Sequence, residues 1–196
     1  ASNAYGDVLV TGTFRRGLTD SFTAEVHAEG QAGGASAAGL DTAWQVGSVG
    51  VVTLTAAAGG QDDIGWLAGA GFERNARQFN VFVRTRYASE EFAQLGTETL
   101  RDRPRQRSFG GVGFALGRYG SLQVSYGRQS NWSSARTETV GLSHSVTLGD
   151  FGVLSFVASH SVAEQASTDF FLNWTLPFGD RRSAALGPGR ARPFIY

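Results

Sequence analysis

The chain has no cysteine, no methionine and no lysine among its 196 residues. Without cysteine it can build no disulfide scaffold, no thiolate metal site and no cysteine nucleophile, and its redox compartment is left open. Without lysine, all 17 basic residues are arginine, and 17 acidic residues cancel them. A formal charge of zero offers none of the basic excess that nucleic-acid binding requires, so no nucleic-acid partner is expected. The missing methionine and the opening Ser2-Asn3-Ala4 lead us to set residues 1–4 aside as a tag scar. No run of 18 apolar residues exists, which excludes helical membrane spans. The same absence says nothing against a β-barrel, whose spans alternate instead of running continuously.

Glycine is what the chain has in excess: 27 residues with only 4 prolines, against an average glycine usage of about 7%. They follow no collagen-like period. They sit singly inside alternating runs and in pairs between them, as strand and turn glycines do.

No convincing amphipathic helix emerges. Segments of alternating polarity predict strands at about 7–15, 20–30, 37–46, 50–59, 63–74, 77–87, 106–118, 120–130, 136–148, 151–162 and 167–177. Strands of globular proteins most often run to about 5–6 residues, whereas a tilted membrane strand needs about 9–11. The segments fit the second class. Their polar parity is as often Gly, Ser or Thr as it is charged, which suits a crowded lumen wall better than a solvated outer face.

The connections also alternate. Tight turns are predicted at Arg16–Asp20, Gly47–Gly50, Asn75–Arg77, Gly117–Gly120 and Gly149–Gly152, with generally longer ones between, the longest at Ala88–Arg105. Outer-membrane barrels have short periplasmic turns and longer extracellular loops. We therefore expect an all-β antiparallel transmembrane barrel segment over residues 5–180, with 181–196 a tail or a doubtful final strand. A complete bacterial barrel normally has an even number of strands. About 11–12 strands that begin on the extracellular side point to part of a larger barrel, or to a trimmed or engineered one.

On this reading Phe22, Val26, Trp66, Phe72, Val81, Val83, Leu142, Phe170, Leu172 and Trp174 face lipid. Thr23, Glu25, His27, Glu29, Asp41, Glu73, Arg84 and Arg86 face the lumen, as a charged but net-neutral wall of mixed polarity. Gly17, Asp20, Gly50, Gly120 and Gly152 serve turns, and Trp66 and Trp174 suit an interfacial aromatic girdle. No catalytic, cofactor or metal residue is assigned. His27, His144 and His160 fall on three strands without ligand spacing. Ser143 and Ser145 flank His144 but point to the other face of a strand, which defeats a serine–histidine pair. Arg101–Arg107 reads as a basic, solvated loop, with lipopolysaccharide phosphates as its conceivable ligand.

Several stretches carry a resemblance. "RRGLTDSFTAEVHAEGQA" and "AGLDTAWQVGSVGVVTLTAAAGG" resemble the middle barrel of the fimbrial outer-membrane ushers of the chaperone–usher pathway, through Gly17, Leu18, Thr19, Asp20 and Thr23, then Gly39, Gly47, Gly50, Val51 and Val52. "RQFNVFVRTRYASEEFAQLG" is similar to the strand and loop that follow. The stretch from Phe151 ends on the similar turn Leu176-Pro177-Phe178-Gly179. The likeness covers roughly residues 6–183 and rests on the order of motifs, none highly specific alone. It implies a stretch, after the plug insertion, of a barrel of about 24 strands, within the range such barrels span. It also implies a non-enzymatic function: secreting and assembling pilus subunits across the bacterial outer membrane, with chaperone–subunit complexes as partners of the full-length usher. The periplasmic, plug and C-terminal domains that recruit and gate are not in this chain, so none of their residues carries over. A stand-alone small porin is the alternative, and a lipid-acting barrel enzyme a remote one. Open strand edges would allow self-association.

Overall fold

In the computed structural model, which describes residues 8–95, 103–134, 136–163, 166–178 and 182–186, every alternating segment becomes a strand. The strands are β1 (Leu9–Thr19), β2 (Phe22–Gln31), β3 (Ser36–Val46), β4 (Gly50–Gly60), β5 (Gly65–Asn75), β6 (Phe79–Ala88), β7 (Pro104–Ala115), β8 (Ser121–Asn131), β9 (Thr137–Thr147), β10 (Val153–Val162), β11 (Ser167–Phe178) and β12 (Arg182–Leu186). All but β12 have 10 to 12 residues. At about 3.3 Å per residue and a tilt near 45°, such strands are long enough to cross the apolar layer of a bilayer. The short β12 falls within the doubtful tail and pairs with β11 from Trp174↔Leu186 to Phe178↔Arg182. The scar at 1–4, Gly179 and the tail from 187 onward lie outside the described residues.

The strands form one antiparallel meander in sequence order, and among the described residues no pair joins β1 to β12. The sheet is an open arc. Its register is staggered. One row of directly opposed residues runs Phe22, Trp44, Val52, Phe72, Val83, Gly110, Tyr126, Val140, His160, Thr168. It leaves β2 at the end carrying the 20–21 turn and reaches β11 at the opposite end. Tilted, stepwise-staggered strands are the geometry of a barrel wall.

That row lies on the apolar face, and nothing covers it. Phe14 is 67% exposed, Trp66 54% and Phe170 69%. Buried apolar side chains among the described residues are confined to Ala35, Ala37, Phe92 and Ala93. A water-soluble sheet would bury its apolar face under a second layer; this sheet has a single layer.

The turns differ from expectation in two ways. β1 continues through Thr19, so Gly17 is a strand residue opposite Thr23, beside a bulge, and the turn is only 20–21. The Ser21 amide donates to Thr19 Oγ1 at 3.3 Å, which lets a two-residue turn close without Gly17. The contrast of turn lengths is also weaker than the sequence suggested. The connections at 116–120 and 148–152 are at least as long as those at 32–35 and 61–64, because each holds a 3₁₀ turn. These two are copies of one device, Leu-Gly-x-aromatic-Gly. In both, the leucine amide donates to the carbonyl of the last glycine at 2.7 Å. Gly120 and Gly152 have φ of 87° and 86°, and a Cβ at Gly120 would lie 1.9 Å from the Ser145 carbonyl oxygen. Only glycine fits there.

Candidate functional site: a polar wall on one face

The second parity of the strands builds a mainly polar face, interrupted by Phe82 and Phe109 on β6 and β7 and by Val157 and Phe171 on β10 and β11. Thr23, Glu25, His27 and Glu29 of β2, Asp41 of β3, Glu73 of β5, and Arg84 and Arg86 of β6 all lie on it, as the cross-strand register requires. Phe22, Val26, Trp66, Phe72, Val81, Val83, Leu142, Phe170, Leu172 and Trp174 lie on the opposite face by the same register. Arg15 of β1, Thr55 of β4 and Arg84 of β6 border one cavity of about 300 Å³. Strands so far apart share a cavity only if the sheet curves toward them, so the polar face is the concave one.

The charges of β1 to β3 are held by short cross-strand contacts. Glu25 sits directly opposite Asp41, a like-charge pairing that costs stability unless neighbours offset it. Arg15 Nε lies 3.9 Å from Glu25, His27 Nδ1 lies 3.6 Å from Asp41, and the Thr55 hydroxyl donates to Asp41 at 2.5 Å. Glu73 accepts from Asn75 Nδ2 at 2.6 Å. Farther along, the wall turns neutral: Ser145 and Ser155 hydroxyls meet at 3.1 Å, and Thr139 donates to Ser161 at 3.3 Å.

The glycine excess has its main use on this face. Large side chains lie flat across the neighbouring strand onto a glycine directly opposite. A Cβ at Gly39 would come 2.3 Å from His27 Cε1, at Gly69 2.9 Å from Arg86 Cγ, at Gly111 2.8 Å from Phe82 Cζ, and at Gly113 2.7 Å from Asn80 Oδ1. Each of these is a register pair. Side chains that recline on glycines leave the concavity open instead of filling it.

Residues 89–95 and 103, the described parts of the long connection after β6, fold toward the same face. The Leu95 amide donates to Glu29 at 2.8 Å, the Ser89 hydroxyl accepts from the Trp66 amide at 3.0 Å, and Arg103 Nη1 donates to the carbonyls of Glu90 and Glu91 at 3.1 and 3.3 Å. Within this connection, Phe92 and Ala93 are buried.

The basic stretch 101–107 is in part strand: β7 starts at Pro104, two residues before the expected start at 106, and takes in Arg105 and Arg107. Arg107 lies on the polar face directly opposite Arg86. Phe109 follows it on the same face. The alternation of Arg107-Ser108-Phe109-Gly110-Gly111 carried that signal. His144 and His160 lie on the apolar parity, each hydrogen-bonded locally: His144 Nε2 to the Tyr119 carbonyl at 2.9 Å and His160 Nδ1 to Thr168 Oγ1 at 2.8 Å. Ser145 points the other way, to Ser155. Gly50, Gly120 and Gly152 stand at strand starts with positive φ. Among the described residues no three His, Asp or Glu side chains converge as metal ligands.

No protein-family model and no curated protein matches the sequence. Solved structures do match the fold. The translocation pore of the P pilus usher PapC superposes with a TM-score of 0.65 and 16% identity, over 92% of this chain and 41% of that one. An E. coli P pilus tip assembly intermediate, PapC-PapD-PapK-PapG, matches with a TM-score of 0.74 and 16% identity, over 95% of this chain and 26% of that one. The chain thus spans less than half the length of the proteins it resembles, and its fold is that of an arc of the usher translocation-pore β-barrel.

Proposed function

We propose that this chain is part of the wall of a protein-conducting pore in the bacterial outer membrane, of the kind that ushers form for pilus subunits. The observation that carries the reading is the two-sided single layer: an uncovered apolar face on the convex side and an open polar face on the concave one. From β2 to β10 every strand is hydrogen-bonded on both edges, and β11 is covered on its outer edge over Trp174–Phe178, as hydrocarbon demands of any backbone that crosses it. On this reading Val26, Val83, Leu142 and Leu172 contact lipid, and Glu25, His27, Asp41 and Arg84 border the water-filled conduit. A lining of Ser, Thr and glycine-bedded side chains suits the passage of folded proteins, since its apolar groups, such as the Phe82–Phe109 pair, are separated by polar ones and form no large patch.

The outer edges of β1 and β12 need further strands, supplied by the rest of a longer chain or by a second copy. Lipopolysaccharide is the surrounding partner. Chaperone–subunit complexes, like the PapD-PapK-PapG assembly seen with PapC, are partners through the longer protein. The role is conduit, not catalysis.

The absence of cysteine makes the test clean. Single cysteines at the neighbouring positions Thr53 and Leu54, and at Ser143 and Leu142, are to be labelled with a membrane-impermeant maleimide after targeting to the outer membrane. We expect labelling at 53 and 143 and protection at 54 and 142. Equal labelling of both parities would defeat the membrane reading. Replacing the matching arc of the P pilus usher with this chain, then counting surface pili, tests the passenger. A chimaera that inserts but assembles none would leave a barrel without the usher role.

A further inference from the structure

The charges of the polar face are grouped by strand. The acidic side chains Glu25, Glu29 and Asp41 gather on β2 and β3, and the arginines Arg84, Arg86 and Arg107 on β6 and β7. Several other arginines are occupied: Arg15 by Glu25, Arg136 by Glu138, and Arg103 by two backbone carbonyls. Arg84, Arg86 and Arg107 have no carboxylate, carbonyl or ring partner among the described residues. Two of them, Arg86 and Arg107, are direct cross-strand neighbours, an arrangement that costs stability when nothing neutralises it. All three border one cavity of about 520 Å³. Glu73, which shares that cavity, is engaged with Asn75 at 2.6 Å.

The glycines opposite fix how these arginines lie. A Cβ at Gly69 would meet Arg86 Cγ at 2.9 Å, and one at Gly71 would stand 3.5 Å from Arg84 Nε. The Arg86 stem and the Arg84 Nε therefore lie over β5, along the wall of the concavity that all three arginines border. Unpaired guanidinium forks bind oxyanions bidentately, and carboxylates fit that fork. Arg84 and Arg86 are two residues apart on one strand, about 6.7 Å at the usual rise. That is also the spacing of carboxylates at alternate positions of an extended segment.

We infer that Arg84, Arg86 and Arg107 form an oxyanion-binding strip whose ligand is an acidic, extended segment of the passing protein. The strip gives a translocating chain a weak foothold on one side of the conduit, where Arg84 and Arg86 look across a shared cavity of about 300 Å³ to Glu25 and Asp41 without pairing with them. The assignment of passenger as ligand rests on the pore reading; the oxyanion site rests on the arginines alone.

The test is calorimetric titration of the whole chain in detergent micelles at fixed ionic strength with three probes: an alternating Glu-Ser peptide, its Gln-Ser counterpart and inorganic phosphate. We expect the Glu-Ser peptide to bind at least 10-fold tighter than either other probe. R86Q/R107Q should weaken it at least 10-fold, while R86K/R107K, which keeps the charge and controls for folding, should weaken it about 3-fold through loss of the bidentate fork. Phosphate binding as tightly as the Glu-Ser peptide would overturn the passenger assignment and leave a small-anion site. No binding, or binding unchanged in R86Q/R107Q, would overturn the strip itself. Because the pore reading is judged by cysteine labelling, its failure and the failure of the strip are read separately.

Discussion

The backbone N–H of Leu95 donates to a Glu29 carboxylate oxygen at 2.8 Å, joining positions 66 residues apart. The bond ties the long connection after β6 back to β2, over the end of the polar wall. A hydrogen bond to a charged acceptor contributes about 1.5–3 kcal/mol when buried, and part-exposure here reduces it to about 1 kcal/mol. Glu29→Ala is therefore expected to speed amide exchange across 92–95 by roughly 5-fold, leaving the strands unchanged. Exchange that stays at the parental rate would show that the loop is held by Phe92 and Ala93 alone.

Gly65 gives the same loop its seat. A Cβ there would lie 2.1 Å from the Phe92 amide nitrogen and 2.5 Å from Phe92 Cα. These are backbone atoms, which cannot rotate aside, so Gly65→Ala must displace the loop and cost about 1–3 kcal/mol. Gly12 on β1 offers the contrast, with nothing within 4 Å of a Cβ. Gly12→Ala should be neutral or stabilise by about 0.5 kcal/mol, because alanine loses less chain entropy in a strand. Denaturant midpoints of the two variants in micelles, followed by tryptophan emission, should move in different directions or by clearly different amounts.

The strands were legible because period two survives local irregularity: the run from Phe22 to Gln31 alternates in sequence and in the structure alike. Punctuation was legible only in part. Gly17 looked like a turn residue, yet Asp20 and Ser21 suffice for the turn once Thr19 Oγ1 accepts from the Ser21 amide, so Gly17 stays in the ladder. Facts that depend on register were out of reach. Parity puts Arg86 and Arg107 on one face, but only the β6–β7 register makes them opposite neighbours, and only the β2–β3 register sets Glu25 against Asp41. The Leu95–Glu29 bond has no periodic signature at all, because an aperiodic segment supplies its donor.

The two faces should respond oppositely to charge. Val83 belongs to the apolar row and is half exposed, while Thr53 lies on the polar face beside Gly71. An arginine on the lipid face of a barrel costs about 2–4 kcal/mol at the bilayer midplane. Val83→Arg should lose that much stability in reversible unfolding from lipid vesicles, and Thr53→Arg no more than about 1 kcal/mol. Equal losses at the two positions would mean that Val83 does not meet hydrocarbon.

The tryptophans report the height of the apolar band. Trp44 lies near the end of β3 that leads into the 47–49 turn, and Trp174 Nε1 donates to the Phe151 carbonyl at 2.8 Å, beside the 149–151 turn. Trp66 is the second residue of β5, at the opposite end. All three are on the apolar face. Indole rings favour the membrane–water interface, where the ring is half solvated and its N–H is satisfied. Trp132 differs: it lies just past β8, with the Arg105 guanidinium 4.9 Å from its ring centroid. In single-tryptophan versions with the others changed to phenylalanine, lipids brominated high on the acyl chain should quench Trp44, Trp66 and Trp174 at least twofold more than lipids brominated near the bilayer centre. Trp132 should be quenched least at either depth. Strongest quenching of Trp44 and Trp66 by the deep bromines would put the two ends of the strands inside the hydrocarbon, and an arc with its 10- to 12-residue strands crossing the membrane could not have that geometry.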